Sequence, residues 1–198
     1  LVVTAALLAS MVGWLIGDSG AEPEHNRVDT GFLQDMREHH QQAVEMSWIY
    51  RSKPDTDPGL REVARTIIVG QNLEIGRMIQ MLRGFGEPEY RDAGTPMDWM
   101  DDEHATHGGD APSGGNPDDP FTQMPGMATE EQLDALNAAT GRDADELFVE
   151  LMTVHHQAGA EMAQYAIDHG ANDEVVAMAE GIVHGQLGEI VEMENLLK

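Results

Sequence analysis

Two short stretches carry the residues best suited to chemistry. Residues 32–46 read FLQDMREHHQQAVEM, and residues 148–162 read FVELMTVHHQAGAEM. Each holds an adjacent pair, His39–His40 or His155–His156. Each pair has a Met on either side, Met36 and Met46 in the first stretch and Met152 and Met162 in the second. Thioether plus imidazole is a donor set for Cu(I), and imidazole plus carboxylate suits Cu(II) or Zn(II). Carboxylates with a further Met follow downstream as Glu74 with Met78 and Glu189 with Met193. His40 and His156 stand out as ligands, because each shares a helical stripe with a Met. The same residues also suit a buried His–Glu/Gln hydrogen-bond network that fixes helix register while Met fills gaps.

A second set lies between these stretches: Met97 and Met100, three apart, and His104 and His107, three apart, with Met124 and Met127 beyond. On a flexible, exposed segment they would form a loose copper-capturing tract. An acidic linker with incidental Met and His is the alternative. The chain has no Cys, which excludes disulfides, thiolate metal sites and Cys nucleophiles. Met and His are therefore its soft ligands, and the 13 Met outnumber the 10 aromatic residues (4 Phe, 3 Tyr, 3 Trp). The net charge of −25 excludes nucleic-acid binding, since 11 Lys+Arg against 36 Asp+Glu cannot neutralise a run of phosphates. Residues 128–198 alone hold fifteen acids against Arg142 and Lys198.

The two stretches are parts of an internal repeat. Residues 32–46 match 148–162 at seven of fifteen positions, at an offset of 116. Residues 60–82 match 175–197 at eight of twenty-three, at an offset of 115, including Gln71/Gln186 and Glu74/Glu189. Apolar residues in 60–82 recur at three- and four-residue steps, the helical period. Asp29 or Thr30 is placed to cap the first helix, Asp143 the third, and Asn172 or Asp173 the fourth. Pro58 starts the second helix, Gly84 and Gly86 end it, and Gly170 ends the third. Short loops near Pro54 and Gly170 make each pair an antiparallel hairpin. Residues 84–127 hold six of the nine Pro and no sustained periodicity, which reads as a long irregular crossover. Within its end, 127–139 reads as a short helix with a capping box from Thr129. Gly70, Gly76, Gly181, Gly185 and Gly188 read as sites of close helix approach.

Residues 1–17 contain no charge and end near Trp14, and Asp18, Glu22 and Glu24 follow. This run reads as a single-pass membrane anchor with the bulk of the protein on the extracytoplasmic side. A cleaved signal peptide is the competing reading. The domain plan is then an anchor at 1–17, a linker at 18–28 and a bundle at 29–198. The bundle divides into hairpin one at 29–84, linker 85–128 and hairpin two at 129–198.

Enzyme signatures are missing. A di-iron bundle needs Glu-x-x-His on two helices. Here Arg77 follows Glu74 at that spacing, and Glu192 follows Glu189. There is no HExxH, GxSxG, P-loop or dinucleotide fingerprint. The expectation is a protein without catalytic residues.

The pattern M-x2-H-H-x5-M followed by A-x2-I-x3-Q-x2-E-I-x2-M occurs twice. With Met124-Pro-Gly-Met127 and Thr129-x2-Gln132-Leu133, it resembles the bacterial domain-of-unknown-function family 305 across residues 29–198. The resemblance implies an all-α, ferritin-like four-helix bundle, often secreted or membrane-anchored, with some members binding copper. The function expected is extracytoplasmic copper binding through Met and His. The alternative is a non-catalytic accessory subunit of a membrane complex, such as a respiratory assembly. A copper-containing oxidase as partner would reconcile the two.

Overall fold

The protein is described here from a computed structural model covering residues 23–91, 96–100 and 124–198. The proposed anchor at 1–17 falls outside these residues. Among the described residues, no helix is long and apolar enough to cross a membrane. They form five helices and no strand: α1 (Arg27–Arg51), α2 (Pro58–Gly84), α3 (Glu130–Ala138), α4 (Gly141–His169) and α5 (Asp173–Leu197).

The duplicated hairpins are α1–α2 and α4–α5, and α1 and α4 also pack on each other. Phe32 and Met36 of α1 share a core cluster with Met162 and Ala166 of α4, while Met46 and Tyr50 share another with Phe148 and Met152. The two helices are therefore antiparallel, with their His pairs level. The short α3 lies against α1 and α4.

Several helix starts differ from the sequence expectation. Asn26, not Asp29 or Thr30, caps α1, closing a capping box with Asp29 at the third position. Helix α4 starts after Thr140, which makes no side-chain cap bond, so Asp143 lies inside the first turn. Helix α3 begins at Glu130, and the residue completing the Thr129 box is Gln132. Asn172 caps α5, and Asp57 caps α2 with Pro58 in its first turn.

Besides closing the capping box through the Asn26 N–H, Asp29 joins the two hairpins. Buried at the start of α1, its carboxylate accepts from Ala171 N–H at 3.0 Å and Asn172 N–H at 3.2 Å, in the α4–α5 turn. Its repeat counterpart Asp145 accepts from Asp57 N–H at 3.0 Å, in the α1–α2 turn. Each hairpin thus holds the turn of the other. At the Asp145 end, Tyr50 adds a 2.6 Å bond from its hydroxyl. Burial and Asp145 together push its phenol well above the usual range.

The glycines expected at helix contacts are not there. At Gly70, Gly76, Gly181, Gly185 and Gly188, an added Cβ would meet nothing within 4 Å. Close approach occurs instead at Gly31, where a Cβ would lie 2.4 Å from Trp99 Cγ.

That contact explains the described part of the crossover. Met97 and Met100, only 4% and 7% exposed, are core residues and not a loose tract. Trp99 is fully buried, edge-on to Phe32 and Tyr165. Its indole N–H donates to Asp35 at 2.7 Å, and Met97 N–H donates to the same oxygen at 2.8 Å. Met97 sits in the left-handed region at φ 69, a conformation that its bond to Asp35 holds. His104 and His107 lie outside the described residues.

Replacing Asp145 with Ala leaves Tyr50 and the Asp57 amide without their shared acceptor. We expect a loss of about 3 kcal/mol in urea-unfolding stability, with Tyr50→Phe costing about 1 kcal/mol.

Candidate metal centre

The periodicity of each helix carries one polar step through an apolar stripe, and the four steps meet at mid-bundle. Along α1 the buried face runs Phe32, Leu33, Met36, then His39 and His40, then Ala43, Met46 and Tyr50. Along α4 it runs Phe148 and Met152, then His155 and His156, then Met162 and Ala163. Helices α2 and α5 contribute Gln71 with Glu74 and Gln186 with Glu189 at the same level. The layer divides the core in two. Met36, Met78 and Met162 belong to the cluster on one side, and Met46, Met152 and Met193 to the cluster on the other.

All four His are fully buried. The carboxylates are their contact with the outside: Glu74 and Glu189 side chains are 31% and 21% exposed. His40 Nε2 lies 2.8 Å from Glu74 Oε2, and His156 Nε2 lies 2.7 Å from Glu189 Oε2. His39 Nε2 lies 3.3 Å from the carbonyl oxygen of Pro125. Carboxylate and carbonyl oxygens accept, so Nε2 carries a hydrogen in each case. The Nδ1 atoms of these three rings are buried without hydrogen-bond partners. Both ring nitrogens of His155 lack partners, as do both amide atoms of Gln71 and of Gln186.

His39 and His155 meet ring on ring across the α1–α4 contact, with centroids 3.7 Å apart and a 31° tilt. Burial is the main reason both stay neutral, and the neighbouring His add to it. The His39 pKa is lowered to about 3, and that of His155 falls well below its usual value. Neutral imidazoles are what a metal requires of its ligands.

The donor set fits a soft ion: buried imidazole nitrogens without protein partners, in a layer flanked by thioethers. The carboxylate–His arrangement of His40 and His156 is the outer-shell support usual for a metal-bound imidazole. Among the described residues, no three His, Asp or Glu side chains form a cluster able to hold a metal ion. The residues are therefore assembled but not gathered around one centre.

Of the sequence-stated ligands, the structure brings His39, His40, His155, His156, Glu74 and Glu189 into one layer. Met36, Met78, Met162, Met46, Met152 and Met193 lie in the clusters on its two sides. Met97 and Met100 join the Met36 cluster and stand apart from the layer. Sequence reading missed Gln42, whose amide donates to Ala128 O at 2.9 Å and accepts from Ala128 N–H at 2.7 Å. That clasp fixes the strap 124–128 that brings Pro125 to His39. The departure from the repeat, Gln42 against Ala158, was its visible sign.

A family model described as Domain of unknown function (DUF305) matches residues 29–197. No curated protein matches the chain. A crystal structure of a DUF305 protein from Streptomyces coelicolor, described as secreted, is 32% identical. It superposes with a TM-score of 0.71 over 89% of this chain and 93% of that one. A DUF305 fragment from Deinococcus radiodurans is 27% identical, with a TM-score of 0.68 over 88% and 98% of the two chains. CopM in its Cu(I)-bound form is 26% identical, with a TM-score of 0.58 over 84% and 93%.

The pKa shifts set the acid stability. A His whose folded pKa lies below its unfolded value must release its proton on folding, so stability is complete above pH 6.5 and falls as pH drops toward 3. We expect a loss of about 1.4 kcal/mol per pH unit for each such His once well below the unfolded pKa. Urea unfolding of native protein and of His39→Gln between pH 7 and 4 should show a shallower loss in the variant.

Proposed function

The chain belongs to the DUF305 family, and we propose that it is an extracytoplasmic copper-binding protein, anchored to the membrane through residues 1–17. It holds Cu(I) without catalysing a reaction. The observation that carries this reading is the buried His layer, where Nδ1 of His39, His40 and His156 has no protein partner while Nε2 is engaged.

A purely structural network gives a weaker account. Its function would be to satisfy polar groups, yet nine buried N and O atoms in the layer remain without partners. Each costs about 1–3 kcal/mol when left so. A bound soft cation would engage the imidazole nitrogens among them. Two relatives add support. CopM is known in a Cu(I)-bound form, and the Streptomyces protein is described as secreted. Bound Cu(I) would be held by His40 and His156 as first ligands, with the thioethers of the flanking clusters as further donors. Glu74 and Glu189 would orient the rings. Burial would exclude water and disfavour the more strongly hydrated Cu(II).

Titration of the full chain with Cu(I) against a competing chelator tests this. His40→Gln with His156→Gln should weaken binding at least about 100-fold, and Glu74→Gln with Glu189→Gln about 10–100-fold. Native protein that binds Cu(I) no better than a weak chelator would contradict the proposal.

A further inference from the structure

We propose that the cleft between α1 and α3 is the loading port through which a soft monovalent cation reaches the His layer; the inference rests on the metal-binding reading above. The cleft encloses about 840 Å³. Its lining includes Glu38, Glu45, Glu130 and Asp134 and no basic side chain. Arg37 engages Glu38, and Glu45, Glu130 and Asp134 are exposed. Carboxylates of one sign around a concave surface raise the local concentration of cations.

Acidity alone would describe any part of so acidic a chain. The wall of this cleft makes it different. Met127, Ala128 and Gln42 line it, so it offers a thioether beside carboxylates. Gln42 lies one turn along α1 from His39 and clasps Ala128 through two hydrogen bonds. Pro125, two residues before Met127, accepts from His39 itself. The strap is thus the partition between the acidic cleft and a fully buried imidazole with an unpartnered Nδ1.

The strap is closely seated. Gly126 has φ +75, and a Cβ there would lie 2.5 Å from Ala158 Cβ and 2.9 Å from Val154 O. Three hydrogen bonds tie it to α1: Gln42 donates to Ala128 O and accepts from Ala128 N–H, and His39 donates to Pro125 O. In the proposed opening these bonds break and the strap lifts from its seat on Val154 and Ala158 of α4. In this sequence of events the carboxylates collect the cation, Met127 receives it, and His39 takes it up as the strap moves. The unpartnered Nδ1 of His39 takes the cation, and Nε2 keeps its hydrogen.

Silver(I) ion alone, a redox-stable stand-in for Cu(I), is the probe. Stopped-flow mixing with the full chain in sodium nitrate would follow tryptophan fluorescence, with protein-retained silver measured after rapid desalting. Glu45→Gln/Glu130→Gln/Asp134→Asn should slow uptake about fivefold or more at low salt, a difference that shrinks as salt screens it. Met127→Leu should also slow uptake, and Gln42→Ala should speed both uptake and release. Equilibrium affinity should stay within about twofold for the charge and Met127 variants, which lie outside the His layer. Native affinity with unchanged rates in these variants overturns the port and leaves the metal-binding reading standing. Failure of the native chain to bind silver overturns both.

Discussion

The structure is organised by the burial of a polar layer through the middle of an apolar bundle. Four imidazoles, two amides and two half-buried carboxylates sit where a bundle of this size would ordinarily place Leu or Ile. The layer fixes register. Sliding α1 by one turn against α4 would separate His39 from His155 and bring each against a Met cluster, with no stacking partner. It would also draw Nε2 of His40 away from Glu74. The apolar clusters on both sides supply the burial free energy that tolerates this layer, and they keep it dry.

Duplication explains the near two-fold arrangement, and the departures from it are informative. Asp29 and Asp145 occupy equivalent positions and tie each hairpin to the other's turn. His40–Glu74 and His156–Glu189 are equivalent and nearly equal in length. The central pair is not equivalent. His39 has a hydrogen-bond partner in the strap, and His155 has none. Gly159 stands where the first hairpin has Ala43, and Gln186 packs into the space a Cβ would fill. The strap bonds to the first half of the layer through His39 and packs on the second through Gly126, which lies against Val154 and Ala158.

Much of this was legible in the sequence. The four long helices, their pairing and the eight polar residues of the layer follow from the repeat and the three- and four-residue apolar spacing. Helix ends were less legible, because Asp29 and Asp143 are good caps locally and only tertiary contacts show that Asn26 and Thr140 precede the helices. The crossover was read as exposed because it lacks periodicity. Trp99, Met97 and Met100 are buried through single contacts with Gly31, Phe32 and Asp35, which no periodic pattern reports. The glycines of α2 and α5 were read as contact points, yet they face open space. Residue type shows what a glycine permits, and only packing shows whether a neighbour uses it.

The account stands on one claim: Nε2 of His40 and His156 is committed to carboxylates, and Nδ1 is left for the metal. Nitrogen-15 NMR of histidine-labelled protein, before and after one equivalent of Cu(I), tests it at the atoms concerned. The account predicts Nε2–H tautomers for His40 and His156 in the metal-free protein, with Cu(I) shifting their Nδ1 resonances while the Nε2 hydrogens stay in place. Metal-free Nδ1–H tautomers, or Nδ1 resonances indifferent to Cu(I), would contradict it.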